Sequence, residues 1–384
     1  MTRQVYLDNN ATTAVHPEVL DAMLPFFRTS FGNPSSVHWA GRAVKSALEE
    51  ARDRVATLIN CDSSEVVFTS CATESNNTAI KGAAAARLSR GNHIITTTVE
   101  HPAVTTPCLF LEHQGFQITC LDVDKDGMLD LETLEAAVTD QTILISAMYA
   151  NNETGTIFPV REIGELAARR GVSFHCDAVQ AIGKIPVDFR GENISLLSIS
   201  GHKLYAPKGV GALIIRKGTK LYPLLHGGPQ ERNRRGGTEN VAGIVGLGKA
   251  CELASRNMQA ESERLRMLRD RLEEYLLAKV PDVRVNGHPV RRLPNTTNLS
   301  ILNVESDSLL FNLDLAGIAV SSGSACSSGA VKTSHVLKAM GVAAGATVGN
   351  IRISLGRENG AEDVDYLLEV LPEIVQRLRE SPKV

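Results

Sequence analysis

Ile194-Ser195-Leu196-Leu197-Ser198-Ile199-Ser200-Gly201-His202-Lys203 is an apolar strand-like run that stops on a lysine. Working outward, six further segments have the same β-rich character: 66–69, 93–98, 117–123, 142–149, 172–177 and 211–216. Several are apolar at nearly every position, as strands covered on both faces are. Helical patterns separate them, such as Val160-x-x-Ile163-x-x-Leu166-Ala167. Strand and helix in alternation predict an α/β layered domain with a largely parallel sheet.

Beyond these strands a helical stretch over 250–280 ends at Pro281, with Leu265, Leu268, Leu272 and Leu276 at helical spacing. Strand candidates at 298–302 and 351–355 then mix with helices, and a helical pattern over 364–378 closes the chain. The expected division is a large domain over 15–260 and a smaller α+β domain made of 1–14 and 261–384, with the boundary inside the long helix. The 384 residues suit two domains. A net charge of −3 implies no general pull toward nucleic acid or membrane, although Arg232, Arg234 and Arg235 form a local basic group. The amino terminus has no apolar run behind a basic start, and no stretch reaches the ~20 apolar residues of a membrane span. A cytoplasmic protein is the expectation.

Three patterns look like metal or nucleotide sites and fail. Asp122-x-Asp124-x-Asp126-Gly127 resembles a calcium loop, but position twelve is Thr133 and not glutamate. A polar turn leading into a helix near Asp130 reads better. His175-Cys176-Asp177 lies on a strand, where neighbours face opposite ways and cannot converge on one ion. Gly341, Gly345 and Gly349 are not spaced as a dinucleotide fingerprint. No intrinsic metal site is expected.

The chemistry gathers at strand ends. Lys203 stands among small residues after its strand, where a lysine that loses its proton readily can bond to a carbonyl carbon. Asp177 ends another strand; alone, a helix N-cap is its commoner role. Together the two supply what pyridoxal phosphate (PLP) needs, an amine for the aldehyde and a carboxylate for the ring nitrogen. Thr69-Ser70-Cys71-Ala72-Thr73-Glu74-Ser75-Asn76 opens a helical stretch running to Arg87, and a helix start with hydroxyls is an anion site. His101 follows a strand and could stack on a ring and shuttle protons, although a lone histidine is more often structural. Seven cysteines at scattered spacing, with no C-x-x-C, form neither a disulfide framework nor a zinc site. One of them, Cys326, sits in Ser321-Ser322-Gly323-Ser324-Ala325-Cys326-Ser327-Ser328-Gly329, a composition that suits an accessible reactive thiol as well as an idle linker cysteine.

These residues resemble the cysteine desulfurases of the NifS/IscS type, in the class V branch of fold-type I PLP enzymes. The resemblance rests on Tyr6 to Thr13, Phe31-Gly32-Asn33-Pro34-Ser35-Ser36, Ala72-Thr73-Glu74-Ser75, Val99-Glu100-His101, Asn151-Asn152-Glu153, His175 to Gln180, Ser200 to Lys203, Gly236-Gly237-Thr238-Glu239-Asn240, Ser322 to Cys326 and Ile351 to Gly356. It implies a seven-stranded, mostly parallel sheet in the large domain. Lys203 is then the PLP amine and Asp177 the partner of the ring nitrogen. Gln180 bonds the ring hydroxyl oxygen, with Asn152 near it and the substrate, and His101 stacks and moves protons. Ala72, Thr73, Ser200 and His202 bind the phosphate, and Thr238 reaches the phosphate of a neighbouring subunit, which implies a homodimer. Arg352 clamps the carboxylate of L-cysteine. Cys326 takes the sulfur as a persulfide, L-alanine leaves, and an iron–sulfur scaffold of the NifU/IscU type accepts the sulfur, with a transient iron–sulfur contact of Cys326 left open. Nitrogenase-related, general iron–sulfur and thiolation pathways all fit. A different PLP lyase or aminotransferase on this fold is the competing reading, separated by Cys326, which such enzymes do not need. After the loop the chain reads Ala330-Val331-Lys332-Thr333-Ser334-His335, a departure from the family's usual run.

Overall fold

The computed structural model describes residues 3–322, 334–342 and 348–380. After a two-residue strand, β1 (Val5–Tyr6), seven strands form the main sheet: β2 (Val66–Thr69), β3 (His93–Thr97), β4 (Gln117–Leu121), β5 (Thr142–Met148), β6 (Ser173–Asp177), β7 (Leu196–Ser200) and β8 (Gly211–Ile215). Their spatial order is β2-β8-β7-β6-β5-β3-β4. β3 through β7 pair in parallel, and β8 runs antiparallel to both of its neighbours, β7 and β2. Six of the seven strands are buried at every position, which is why their sequences show no polar alternation. β4, at one edge, is only partly covered: Gln117 and Cys120 are exposed, and Leu121 alone is buried. The family resemblance's expectation of a mostly parallel seven-stranded sheet holds.

The chain goes outward from β3 to β4, then in the opposite sense from β5 through β6 to β7. A crevice opens at the carboxyl ends of parallel strands where the order reverses. Met148, Asp177 and Ser200 are the last residues of β5, β6 and β7, so their side chains and the loops after them gather at that edge.

The long helix is Val241–Lys279, 39 residues, and begins before the stretch read from sequence. Gly243, Gly246 and Gly248 lower the helical signal there. Packing explains two of them: a Cβ on Gly248 would sit 2.6 Å from Ala51 Cα, and one on Gly246 2.7 Å from Met23 Sδ. Helices Pro17–Arg28 and Trp39–Ile59 press closely on this part of the long helix. Its first half, through Ala254, belongs to the larger hydrophobic core. Leu265, Leu272 and Leu276 belong to a second core with Val5 and Leu7. That core is closed by β9 (Val283–Asn286), β10 (Thr296–Leu302), β11 (Ile318–Ala319) and β12 (Val348–Ser354), and by helix Ala361–Glu380. β12, β10 and β9 form an antiparallel sheet, while β1 pairs with β11 in parallel. One segment departs from the expected grouping: Val336, Leu337 and Met340 pack in the larger core.

The aspartate run at 122–130 is a polar turn. Asp124 Oδ1 accepts from the backbone N–H groups of Asp126 (2.9 Å) and Met128 (2.8 Å), and Asp130 caps helix Leu131–Ala137. Among the described residues, no group of His, Cys, Asp and Glu could hold a metal ion, and no helix is long and apolar enough to cross a membrane.

Candidate active site

A cavity of about 320 Å³ opens at the carboxyl ends of β5, β6 and β7. Ala72, Thr73, His101, Asn152, Asp177, Gln180, Ser200, His202, Lys203 and Arg352 all line it, ten of the twelve residues singled out in the sequence. Thr238 stands apart, in a neighbouring pocket with Ser70, Glu231, Arg235 and Asn240. Cys326 lies outside the described residues. Cavities of this size, mostly apolar with a few converging polar groups, are where small ligands and cofactors bind.

Asp177 ends β6, and its carboxylate is held on both oxygens. Oδ2 accepts from Asn76 Nδ2 at 2.7 Å, and Oδ1 from the Val179 N–H at 3.1 Å. Burial pushes its pKa up; the Asn76 bond, His101, the Val179 N–H and Lys203 oppose that rise. A cation placed beside this carboxylate would draw it back toward ionisation. His101 caps helix Pro102–Glu112, its Nδ1 accepting from the Ala103 N–H at 3.0 Å. That bond leaves Nε2 to carry the proton of the neutral ring. Burial is the main cause of its lowered pKa, with Lys203 and His335 adding to it and Asp177 opposing, so the imidazole is biased toward neutral.

Lys203 closes the 3-10 turn Gly201–Lys203 that follows β7. Its Nζ donates to the carbonyl of Asn10 at 2.7 Å and to that of Ala11. His202 Nδ1 meets Thr12 Oγ1 at 3.2 Å, and burial, then Lys203 and Lys208, lower its pKa to about 4. Helix Ala72–Arg87 begins with no side chain capping its first N–H groups, because Cys71 occupies the N-cap. Those free donors, beside Thr73, are an anion site in waiting. Across the cavity, Arg352 on β12 donates from Nη2 to Asp8 Oδ1 (2.6 Å) and from Nη1 to the Asn152 carbonyl (3.1 Å). Its Nε is buried without a partner among the described residues.

The arrangement fits PLP. A carboxylate for the ring nitrogen, an amine for the aldehyde and an uncapped helix start for the phosphate face one cavity, and the unpartnered Nε of Arg352 is a donor awaiting an acceptor. Sequence reasoning missed the residues that orient the site. Asn76 lies one turn into helix Ala72–Arg87 and aims Asp177, the Asn10 carbonyl receives Lys203, and Asp8 holds Arg352. Asp8 and Asn10 stand in the quoted Tyr6–Thr13 motif; no periodicity marked them as functional. Of the six described cysteines, Cys120 is exposed on β4, while Cys108, Cys176 and Cys251 are buried. Burial raises the thiol pKa of Cys61, Cys108 and Cys251 to about 12 and also raises those of Cys120 and Cys176, so none of these five is a ready thiolate.

The sequence profile of the aminotransferase class-V family matches residues 5–367. A cysteine desulfurase IscS of Methanosarcina thermophila is 53% identical over 377 residues, covering 98% of this chain and 93% of the relative. Among solved structures, a NifS-like protein superposes with a TM-score of 0.92 at 40% identity, covering 98% of this chain and all of the other. Another, SspA in complex with cysteine, has a TM-score of 0.80 at 36% identity and covers 91% of this chain and 98% of its own.

Proposed function

We propose, from the premise that this chain belongs to the aminotransferase class-V family and is a cysteine desulfurase, that Cys326 takes the sulfur of L-cysteine in a PLP site built on Lys203 and Asp177. The convergence of Asp177, Lys203 and Arg352 on one cavity carries this reading.

When bound, PLP supplies an electron sink for the pair released at the substrate's α-carbon. Asp177, oriented by Asn76, would hold the ring nitrogen by accepting its hydrogen bond. Ala72 and Thr73 at the helix start, with Ser200 and His202, bind the phosphate. Lys203 would hold the aldehyde through its amine and, when free, would move the proton at the substrate's α-carbon. Arg352 binds the substrate carboxylate, sharing its guanidinium between that group and Asp8. His101, neutral and with its proton on Nε2, would stack on the bound ring and move protons there. The Cys326 thiolate forms a sulfur–sulfur bond as the substrate's carbon–sulfur bond breaks. The balance is closed: a thiol and L-cysteine become a persulfide and L-alanine, with no outside oxidant. Thr238 completes the phosphate site of a second copy in a homodimer, and the persulfide passes to an iron–sulfur scaffold in the cytoplasm.

The test is to incubate PLP-loaded protein with L-cysteine and a thiol reductant and to quantify L-alanine and sulfide together. Equal, catalytic amounts of both are expected, and Cys326→Ala abolishes them while leaving PLP bound. Pyruvate, or a product dependent on added keto acid, would replace this reading with a lyase or an aminotransferase.

A further inference from the structure

An amide side chain presents a donor at one end and an acceptor at the other, so what it does in a site depends on which way it is turned. Gln180 lines the cavity, and its orientation is set from behind. Oε1 accepts from Lys184 Nζ at 2.7 Å, and Nε2 donates to the Asn10 carbonyl at 3.0 Å. An ammonium or amine hydrogen cannot be met by Nε2, so the opposite flip would break both bonds. The same Lys184 Nζ donates to Asn10 Oδ1 at 3.2 Å. Asn10 is thus gripped at its side chain by Lys184 while its carbonyl receives both Gln180 and Lys203. Its Nδ2 is fixed in turn, donating to Thr296 Oγ1 at 2.9 Å and to the Asn152 carbonyl at 3.2 Å.

We propose that Lys184 is a positioning residue for the cofactor site: it locks the Gln180 amide so that the group with a hydrogen bond left to give is a donor, and it fixes the Asn10 carbonyl on which Lys203 rests. The inference rests on the PLP reading above and deepens it. With Oε1 engaged, the ligand atom that suits Gln180 is an acceptor, and the ionised ring hydroxyl of PLP is one. Charge supports the same conclusion. Burial, then the cations Lys203 and Arg352, push the Lys184 pKa down to about 7, and an anion bound in the cavity would favour its charged form. Protonated or not, Lys184 still donates. It also lines a small second cavity of about 30 Å³ with Asn9, Tyr205 and Asn295, which leaves room for a larger basic side chain.

The experiment titrates cofactor-free protein with PLP by absorbance and compares dissociation constants and visible spectra. Losing one hydrogen bond from a charged group corresponds to about a tenfold change or more. Lys184→Met is therefore expected to weaken PLP binding about tenfold and to alter the visible spectrum at fixed pH. Lys184→Arg should stay within about twofold of wild type. In a Gln180→Met background, Lys184→Met should add little, because its partner is gone. If Lys184→Met lowers the melting temperature of the cofactor-free protein, Lys184→Gln takes its place in the same cycle. Wild-type affinity and spectrum in Lys184→Met would overturn the proposal, as would a full additive loss in the Gln180→Met background. Wild-type protein that takes up no PLP at all would bring down the PLP reading itself.

Discussion

Arg352 has two of its nitrogens engaged by Asp8 and the Asn152 carbonyl and a third, Nε, buried with no partner among the described residues. A planar fork held this way can meet a carboxylate with two parallel bonds, which a lysine cannot. Arg352→Lys is expected to raise KM for L-cysteine roughly 10–100-fold, the equivalent of one charge-assisted hydrogen bond, with a smaller effect on kcat. Steady-state kinetics with L-cysteine read it, and an unchanged KM would remove Arg352 from carboxylate binding. His175 makes a different kind of prediction. It lies inside the sheet between Ser146 Oγ (2.8 Å) and Ser198 Oγ (3.1 Å), and burial lowers its pKa to about 3. Its folded pKa is depressed, so the unfolded chain takes the proton first as pH falls. The stability it protects is full above about pH 6.5 and is lost on the way down toward 3, at up to about 1.4 kcal/mol per pH unit. In His175→Gln the melting temperature should fall less steeply between pH 6 and 4. Asp177 and Lys203 were legible in the sequence because each follows an apolar run. The Asn76, Asn10 and Asp8 contacts were not, because they join residues up to 344 positions apart, which no local pattern encodes.

At the scale of elements, buried strands announced themselves and glycine-rich or short ones did not. All seven strands of the main sheet fall on β-rich segments read from the sequence, whereas β9, four residues long with two of them polar, carried no such signal. The first turns of the long helix were hidden by glycines whose role is close contact with neighbouring helices. The segment before that helix was equally silent. Glu231, Arg232 and Asn233 all have positive φ, a conformation costly for side-chain-bearing residues. A buried ion pair over-determines the turn: Arg52 on helix Trp39–Ile59 donates twice to Glu231, at 2.8 Å each, and the Phe68 N–H on β2 donates to the same carboxylate at 2.9 Å. Removing one partner strands a buried charge, at a cost of about 3–5 kcal/mol. Arg52→Met should therefore lower the calorimetric melting temperature by several degrees. A wild-type melt would mean that the turn is held by something else.

For the whole molecule, two kinds of pattern mark two of its three hydrophobic cores, alternating strand and helix and then a leucine stripe with mixed elements. The packing of Val336, Leu337 and Met340 on the larger core was not visible, because a five-residue helix has too little periodicity to show which core it serves. The surface raises the last question. Phe31 is 79% exposed, Trp39 75% and Phe27 65%, a concentration of large aromatics that a lone chain would not leave in water. Phe27 and Phe31 border a groove that also contains Thr238 and Asn240. In the proposed homodimer, a second copy covering this groove would bury Phe27 and Phe31 and set Thr238 at the contact between the two chains. Phe31→Glu, alone or with Trp39→Glu, places a charge where a dry contact should be. If the proposed homodimer with Thr238 shared across it is correct, the expected result is a monomer by sedimentation, with PLP bound more weakly than in wild type. Thr238→Ala should reproduce the weaker PLP binding while leaving the dimer intact, since one hydroxyl contributes little to an interface of this kind. A wild-type monomer that holds PLP fully would break the link between assembly and cofactor, and would return Thr238 to a purely local role beside Arg235 and Glu231.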